Sequence, residues 1–270
     1  MKKIILLLIG FIFCQNVFAS DIDYDYANGI YHFVLSGDNI KKQMQFVSSS
    51  NLITNKEAHN NSQSRFTINT GYFDPKNQKT VSYIVNGYQT IEDPIFNESL
   101  MLNPSTRKRL KQILNRTEFR ILDCDSKLKY EIASHDSKVD FMCSIKESAQ
   151  GGPQLLPNLR LEEESFIIKD SEGNVVKEYA SVLQKTPRTL IGLKSLPKGE
   201  QEVHVFIVTN KNPMDLYEAK KLCASYGLDS AMAFDGGSST SLNYKKINVI
   251  STQDNGDTGR ALKSFMIIKK

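Results

Sequence analysis

Four short clusters of glycines and polar residues carry the residue types that could do chemistry in this chain. They are residues 69–74 (NTGYFD), 151–155 (GGPQL), 187–192 (PRTLIG) and 235–240 (DGGSST). The carboxylate of Asp235 is a candidate general acid or base. The guanidinium of Arg188 offers a planar fork that can bind two phosphate oxygens at once. The carboxamide of Asn69 can donate and accept hydrogen bonds, which suits a sugar hydroxyl or a phosphate.

The last of these clusters has the composition of an anion-binding turn. Backbone N–H groups of Gly236, Gly237 and Ser238 can point inward as a nest, and the hydroxyls of Ser239 and Thr240 can add to it. The alternative interpretation is structural, because Asp235 could cap a turn with Arg188 as its salt-bridge partner. Asp74 in the first cluster is a second candidate carboxylate.

Other catalytic signatures are missing from the sequence. It contains no HExxH, GxSxG, GxxxxGK[ST] or GxGxxG motif and no pair of CxxC motifs. The histidines are scattered, and His204 lies inside an apolar segment, which favours a structural role. We therefore expect no zinc site and no organic cofactor, and a divalent cation near Asp235 stays open.

The elements expected to position Asp235 are a strand, a helix and a second strand. Residues 203–209 (VHVFIVT) are apolar on both faces, which predicts an interior strand. Apolar residues three or four apart predict a helix from Pro213 to Gly227, followed by a strand over residues 230–234. Such a βαβ unit predicts parallel strands with a right-handed crossover. Asp235 then lies at the carboxyl end of a strand, where open α/β sheets bind ligands.

The rest of the chain predicts further strands and one insertion. Strands are expected at residues 30–35, 65–69 and 264–268, and a hairpin at residues 81–88 turns at Asn86-Gly87. Residues 91–146 are interpreted as an insertion of unassigned function, with a basic helix over residues 107–114 capped by Ser105. Its basic residues favour a solvent-exposed face over contact with an anionic substrate or lipid. The expected fold class is α+β, a single domain with a twisted mixed sheet flanked by helices.

The amino terminus has the pattern of a secretory signal peptide. Lys2 and Lys3 precede an apolar run over residues 4–13, and Ala19 offers a cleavage position. A membrane anchor is the alternative, but the run is too short to span a bilayer comfortably. The prediction is a signal peptide over residues 1–19, a domain over residues 20–270, and export to the periplasm or the exterior.

Composition and cysteines fit an exported globular domain. Of 270 residues, 40% are hydrophobic and 24% charged, which excludes wholesale disorder. The formal net charge of +4 falls to +2 when Lys2 and Lys3 leave, which disfavours a general nucleic-acid binder. Cys124 and Cys143 are predicted to form a disulfide, and Cys223 to be a buried free thiol.

Taken together, in this order and spacing, the four clusters resemble the phosphodiester glycosidase family. The elements of that family match Asn69, Gly71 and Phe73; Gly151, Gly152 and Pro153; Arg188, Thr189 and Gly192; and residues 235–240. The resemblance extends over about residues 51–268. Thr70, Tyr72 and Ser238 depart from the residues that the family commonly has at those positions, which bears on substrate identity more than on the reaction.

The resemblance implies an exported hydrolase that cleaves a glycosyl phosphodiester to a free sugar and a phosphomonoester. The implied catalytic residues are Asp235, Arg188 and Asn69. The implied substrate-binding residues are Gly71, Phe73, Asp74, Gly152, Gly236, Gly237, Ser238, Ser239 and Thr240. The expected partner is a glycosyl phosphodiester or a surface polysaccharide, without nucleic acid and without a membrane once the signal peptide is removed.

Two other functions remain open from the sequence. One is a catalytically silent carbohydrate- or polysaccharide-binding protein of the same fold, which would bind a sugar phosphate without turnover. The other is a phosphodiesterase that cleaves the P–O bond. The position of oxygen-18 taken up from solvent distinguishes the P–O from the C–O reaction.

Overall fold

A computed structural model describes residues 21–250 and 258–270 of the chain. The predicted signal peptide lies outside these residues. The described part is a mixture of short helices and long strands, and the predicted α+β class is confirmed.

The regular elements of the described residues are named in chain order. The strands are β1 (Ile22–Ala27), β2 (Ile30–Leu35), β3 (Met44–Ile53), β4 (Phe66–Asn69), β5 (Ile84–Asn86), β6 (Gln89–Glu92), β7 (Thr117–Cys124), β8 (Lys127–Ser134), β9 (Cys143–Gln150), β10 (Gln154–Leu156), β11 (Ile167–Lys169), β12 (Val175–Glu178), β13 (Arg188–Ser195), β14 (Gln201–Val208), β15 (Ser230–Ala233), β16 (Ser241–Tyr244), β17 (Ile247–Ile250) and β18 (Leu262–Ile268). The α-helices are α1 (Asp38–Gln43), α2 (Asn55–Ser62), α3 (Glu98–Met101), α4 (Pro104–Arg107), α5 (Leu110–Leu114) and α6 (Leu216–Ser225).

The strands form three large sheets and one small hairpin. The first sheet has the order β1-β2-β14-β13-β15-β10, the second β17-β16-β4-β18-β3 and the third β6-β5-β9-β7-β8, while β11 and β12 pair with each other. The pairings in these sheets are antiparallel, so the predicted mixed sheet is instead a set of antiparallel sheets.

The central strands of the first sheet, β14 and β13, are buried on both faces. Val203, Val205 and Ile207 on one face of β14 pack into a core shared with the second and third sheets. Phe206 and Val208 on the other face pack into the core beneath α6. Burial on both faces explains why this strand reads as an unbroken apolar run rather than an alternating one.

The predicted strand–helix–strand unit corresponds to β14, α6 and β15, with one difference. β14 and β15 both pair antiparallel with β13, so they run parallel to each other but with β13 between them. Antiparallel hydrogen bonding to β13 satisfies both strands, so they need not be neighbours. Helix α6 begins after Asp215, which forms a capping box with Glu218, rather than at Pro213.

Residues 91–146 are integrated into the fold. β9 pairs with β5 and β7, which joins this stretch to the predicted hairpin at Asn86-Gly87. The single helix predicted over residues 107–114 is two short helices, α4 and α5. Asn103 caps the first of them by accepting from the backbone N–H of Ser105, so the predicted Ser105 cap is wrong. Pro104 at the first helical position favours this start.

The cysteine predictions are confirmed. Cys124 and Cys143 form a disulfide between paired positions of β7 and β9. Cys223 on α6 is a fully buried free thiol, and burial raises its pKa to about 12. No helix in the described part of the chain is long and apolar enough to cross a membrane.

Candidate active site

Backbone hydrogen bonds bring the four glycine-containing clusters together where several strands end. The N–H of Asp235 donates to the carbonyl of Thr70 over 2.9 Å, and the N–H of Gly237 donates to the carbonyl of Pro187 over 2.8 Å. The N–H of Gly152 donates to the carbonyl of Ala233 over 2.9 Å. Segments that are far apart in the sequence therefore form one site at the carboxyl end of β15.

A cavity of about 330 Å³ opens at this junction. It is lined by Tyr72, Phe73, Val81, Leu100, Thr106, Arg109, Ile113, Arg116, Tyr179, Ala180, Asp235 and Arg260. The lining thus combines three arginines and one carboxylate with three aromatic rings and several apolar side chains. Such a set can hold an anion beside a sugar ring, because guanidinium groups bind phosphate and aromatic faces pack against sugars.

Asp235 is the carboxylate of this cavity. Burial raises the pKa of its carboxyl group from 3.8 to about 6. A hydrogen bond from the Ser239 hydroxyl, the charges of Arg260 and Arg188 and a hydrogen bond from the Gly236 backbone N–H act in the opposite direction and limit the rise. A carboxyl group with a pKa near 6 can exchange a proton close to neutral pH, as acid–base catalysis requires.

Asn69 fixes the backbone that carries Asp235. Its side-chain Nδ2 donates to the carbonyl of Asp235 over 2.6 Å, and its Oδ1 accepts from the Thr189 hydroxyl over 2.7 Å and from the Ser241 N–H over 3.0 Å. The residue is only 1% exposed. Asn69 therefore positions the site, and its amide is occupied by protein groups rather than held open for a substrate.

The sequence predicts that the Arg188 guanidinium binds phosphate, but in the structure it binds backbone carbonyls. Its Nε donates to the carbonyl of Met214 over 2.9 Å, and its Nη2 donates to the carbonyls of Ser181 and Gln184, each over 2.7 Å. The side chain is 2% exposed and holds three chain segments together, since its Nε and Nη2 donate to backbone carbonyls. Its Nη1 lies against Gly236, and its charge favours ionised Asp235.

The predicted anion nest over residues 236–238 is occupied by the protein itself. The N–H of Gly236 donates a hydrogen bond to the Asp235 carboxylate, and the N–H of Gly237 donates to the carbonyl of Pro187. Ser239 and Thr240 are buried, and the Thr240 hydroxyl has no hydrogen-bond partner among the described residues. Within residues 235–240, the cavity is lined by Asp235.

Arg260, rather than the predicted Arg188, lines the cavity together with Asp235. Its Nη1 donates to the hydroxyls of Ser238 and Ser239 over 3.0 and 3.1 Å, and its guanidinium lies 5.0 Å from the centre of the Phe73 ring. The side chain is half-buried and faces the cavity. It can therefore neutralise an anion bound next to Asp235.

Two further arginines come from residues 91–146. Arg116 follows α5, is 7% exposed, stacks 3.9 Å from the centre of Phe166 and donates from Nε to the carbonyl of Glu164 over 3.0 Å. Burial lowers its pKa. Arg109 donates to the Ser165 hydroxyl over 2.6 Å and to the Tyr179 hydroxyl over 2.7 Å. The basic segment is thus partly a wall of the cavity rather than only a solvated face.

Tyr72 closes the inner side of the cavity. Its hydroxyl donates to the carbonyl of Gly152 over 3.0 Å, and its ring lies 5.4 Å from the Arg116 guanidinium. Burial raises its pKa, so the phenol stays protonated. The Tyr72 hydroxyl therefore ties residues 151–155 to the cavity wall.

Gly152 shows why the second cluster needs glycine. Its φ is +92°, and a Cβ placed there would lie 2.3 Å from Oε2 of Glu164. Glu164 is fully buried and accepts from the hydroxyl and the N–H of Thr117 over 2.6 and 3.0 Å. Burial raises its pKa. Gly152 therefore supports the cavity floor instead of contacting its contents.

The first cluster divides between cavity and support. Phe73 lines the cavity, whereas Gly71 makes a close backbone approach, since a Cβ there would lie 2.6 Å from Cβ of Ser82. Asp74 closes a surface turn by accepting from the N–H of Lys76 over 2.8 Å. The structure does not bring Asp74 to the cavity, so it is not placed as a second carboxylate beside Asp235.

Within residues 21–250 and 258–270, no group of three or more histidine, cysteine, aspartate or glutamate side chains has the arrangement of a metal site. His204 forms a hydrogen bond of 2.9 Å with His32 and stacks near Phe206, away from the cavity.

The segment that contains all four clusters matches a known protein family. The profile of the phosphodiester glycosidase family matches residues 62–269, which is most of the chain. The chain belongs to the phosphodiester glycosidase family. No curated protein matches it in sequence.

Solved structures share the fold at low sequence identity. The catalytic domain of zebrafish N-acetylglucosamine-1-phosphodiester alpha-N-acetylglucosaminidase, auto-inhibited by its pro-peptide, is 12% identical with a TM-score of 0.62, covering 92% of this chain and 81% of that one. A hypothetical protein from Synechocystis is 10% identical with a TM-score of 0.56, covering 92% and 61%. A putative exported protein from Burkholderia pseudomallei K96243 is 9% identical with a TM-score of 0.53, covering 89% and 74%.

Within this phosphodiester glycosidase fold, sequence reasoning missed the three cavity arginines. Arg109 and Arg116 belong to the stretch interpreted as an insertion, and Arg260 follows a Thr-Gly pair shortly before β18. The sequence around Arg260 did offer a signal. An arginine between a turn and an apolar segment is expected at the start of a strand, where the sheet ends and a site can form. Arg116 had none, since only tertiary structure places it near Asp235.

Proposed function

We propose that the protein hydrolyses a glycosyl phosphodiester, releasing a free sugar and a phosphomonoester. The observation that carries this proposal is the Asp235 carboxyl group, with its pKa of about 6, in a cavity that also holds three arginines and three aromatic rings. Membership of the phosphodiester glycosidase family supports the same reaction class.

In this reaction Asp235 serves as the general base at neutral pH, where a carboxyl group with a pKa near 6 is mostly ionised. It takes a proton from water as the water oxygen bonds to the anomeric carbon. The bond from that carbon to the phosphate oxygen breaks, and its electron pair leaves with the phosphate. A phosphate leaving group needs little protonation, so one carboxylate suffices when arginines stabilise the departing charge.

The arginines and the aromatic rings divide the binding work. Arg116 and Arg260 both line the cavity and supply positive charge next to Asp235. Phe73 and Tyr179 offer ring surface for the apolar face of a sugar, and Leu100 adds apolar wall. The cavity of about 330 Å³ is large enough for one sugar and its phosphate.

The test is turnover of an N-acetylglucosamine-1-phosphate diester by residues 20–270, with free sugar and phosphomonoester both quantified. Asp235→Asn should lower kcat about 100-fold or more, because the base is lost. Arg116→Gln and Arg260→Gln should each lower kcat/KM about 10- to 100-fold, since each removes a charge-assisted contact to phosphate. Arg107→Gln is the matched control, because Arg107 is exposed on α4 outside the cavity lining. Thermal unfolding verifies that each variant is folded.

The outcomes separate the candidate functions. Wild-type turnover by Asp235→Asn would contradict the mechanism. Binding of the diester without turnover would indicate a carbohydrate-binding protein, and solvent oxygen-18 in the phosphate would indicate P–O cleavage. The pH profile gives an independent readout, because kcat/KM should fall below about pH 6 as Asp235 takes up a proton.

We also propose that the protein works outside the cytoplasm. The signal-peptide pattern of the first 19 residues and the Cys124–Cys143 disulfide support export, because disulfides persist in oxidising compartments. The name of the Burkholderia neighbour points the same way. Cell fractionation of the producing organism, with amino-terminal sequencing of the mature protein, tests both the location and the cleavage after Ala19.

A further inference from the structure

A second concave site lies at the other end of the molecule and is rich in lysine. We call it the lysine cleft. It has a volume of about 520 Å³ and is lined by Ser36, Gly37, Asp38, Lys41, Lys42, Ser126, Lys127, Leu128, Lys129, Leu196, Lys198, Gly199, Glu200 and Gln201. These residues come from α1 and the residues before it, from the β7–β8 hairpin and from the β13–β14 hairpin.

The lysine cleft is distinct from the cavity that holds Asp235. β13 begins at Arg188, beside Asp235, and ends at Ser195, directly before the cleft residue Leu196. An antiparallel strand rises by about 3.4 Å per residue, so the two sites are separated by roughly 24 Å along this strand. β7 also extends from one site to the other: it begins at Thr117, near the cavity floor, and ends at Cys124, near the lysine cleft.

Most of the positive charge in the cleft is not neutralised. Lys41 pairs with Asp38 over 3.2 Å, and its ammonium lies 5.8 Å from the centre of the Tyr130 ring. The other lysines of the cleft are exposed, and none of them forms an ion pair with a carboxylate in the described residues; they are Lys42, Lys127, Lys129 and Lys198. With two acidic residues in its lining, the cleft carries a formal charge of +3, close to the net charge of the whole chain.

The walls of the cleft are held in a fixed frame. Tyr130 on β8 and Gln201 on β14 exchange two hydrogen bonds of 2.9 Å, from the Tyr130 N–H to the Gln201 side chain and from that side chain back to the Tyr130 carbonyl. The Cys124–Cys143 disulfide joins the turn end of the β7–β8 hairpin, which carries Lys127 and Lys129, to β9. Charges on a preorganised frame bind a ligand at a lower entropic cost than charges on mobile loops.

The lining indicates which polyanion fits. It contains no arginine and no aromatic side chain, which nucleic-acid sites use for base contacts and stacking. It is concave, and its larger apolar side chains, Leu128 and Leu196, are partly buried, which does not suit a flat membrane surface. Lysine ammonium groups are compact, hydrated point charges that match single charges spaced along a flexible chain.

We propose that the lysine cleft binds a linear anionic polymer of sugar or polyol units joined by phosphodiesters. One part of the polymer lies on the cleft while another part enters the cavity of Asp235. The identity of the charges as phosphodiesters rests on the proposed function, whereas the binding itself does not.

The test measures binding of a linear poly(glycerol phosphate) oligomer by calorimetry, with residues 20–270 in the Asp235→Asn background. Replacing Lys127, Lys129 and Lys198 together by Gln should weaken binding about tenfold or more. The matched control replaces Lys56, Lys76 and Lys221 by Gln, three exposed lysines outside both sites. This control should change affinity less than about twofold. With all cleft lysines present, affinity should fall about tenfold or more between about 50 and 200 mM salt, since several ion contacts are lost.

Equal weakening by both triple variants would overturn the proposal, because it would show that net charge and not the cleft attracts the polymer. Tighter binding to an oligodeoxythymidylate or to anionic lipid vesicles than to the oligomer would overturn it as well.

A kinetic measurement separates this proposal from the proposed function. With Asp235 present, the cleft variant should raise KM for a polymeric glycosyl phosphodiester and leave KM for the monomeric diester unchanged. If neither substrate is turned over but the affinity difference persists, the cleft stands and the proposed function fails.

Discussion

Replacing Asp235 by asparagine is expected to change how the stability of the protein depends on pH. Burial raises the pKa of this carboxyl group from 3.8 to about 6, so between these pH values the folded protein binds a proton that the unfolded chain has released. The free energy of unfolding of the wild type therefore falls as the pH rises from about 4 to about 6, and the loss is complete above about pH 7. Asparagine carries no such proton, so the variant does not lose this stability.

The size of the effect follows from the pKa difference. A difference of about two between the folded and unfolded states corresponds to ~3 kcal/mol at about 1.4 kcal/mol for each pH unit. The free energy of unfolding of Asp235→Asn minus that of the wild type should therefore rise by ~3 kcal/mol between about pH 4 and about pH 8. Groups that titrate alike in both proteins cancel in this difference.

The assay is urea unfolding followed by circular dichroism at a series of pH values, with the disulfide intact in both proteins. Asp74→Asn, which removes a carboxylate outside the cavity, supplies the baseline. A difference between wild type and Asp235→Asn that stays constant from pH 4 to pH 8 would refute the reasoning, because Asp235 would then titrate alike in the folded and unfolded states. The same result would remove the argument for this residue as a base near neutral pH.

Two further predictions concern the frame of the site. Gly152→Ala should lower the free energy of unfolding by about 2 kcal/mol or more relative to the control variant Gly173→Ala. Both glycines have a similar positive φ, but only at position 152 would the new Cβ lie against buried Glu164. Equal melting temperatures of the two variants would contradict this prediction. Replacing Cys124 and Cys143 together by serine should lower the free energy of unfolding by about 3 kcal/mol, as expected for a closed loop of 19 residues, and chemical unfolding at unchanged midpoint would contradict it.

Local sequence patterns predicted several strands of the described sheets. The strand at residues 30–35 coincides with β2, and β4 ends at Asn69, as the switch to Thr70-Gly71 indicates. The apolar segment at residues 203–209 corresponds to β14, which is buried on both faces. These features depend on residues close in sequence, so composition and spacing are sufficient to predict them.

The order of strands in the sheet was not predictable in the same way. β13 lies between β14 and β15. It forms a hairpin with β14, but its pairing with β15 crosses all of β14 and α6 in sequence, and no local pattern reports that pairing. An apolar strand looks the same in sequence whether its neighbour runs parallel or antiparallel when both of its faces are buried.

The roles of the individual arginines were also not predictable from local sequence. Arg188 has the sequence context of a ligand-binding residue, but its side chain is buried outside the cavity lining, and its Nε and Nη2 donate to backbone carbonyls. Arg116 has no distinctive context and yet lines the cavity. Which arginine lines the cavity is decided by the tertiary packing around it, and the sequence does not record that packing directly.

The buried thiol of Cys223 gives the protein a built-in reporter of its own opening. The thiolate is the reactive form, and a pKa of about 12 together with full burial between α6 and the first sheet suppresses it in the folded state. A thiol reagent therefore modifies Cys223 only when the layer formed by α6 and the first sheet separates. The labelling rate under native conditions measures the free energy of that separation without an introduced probe, and the Cys124–Cys143 bridge stays silent in the same experiment.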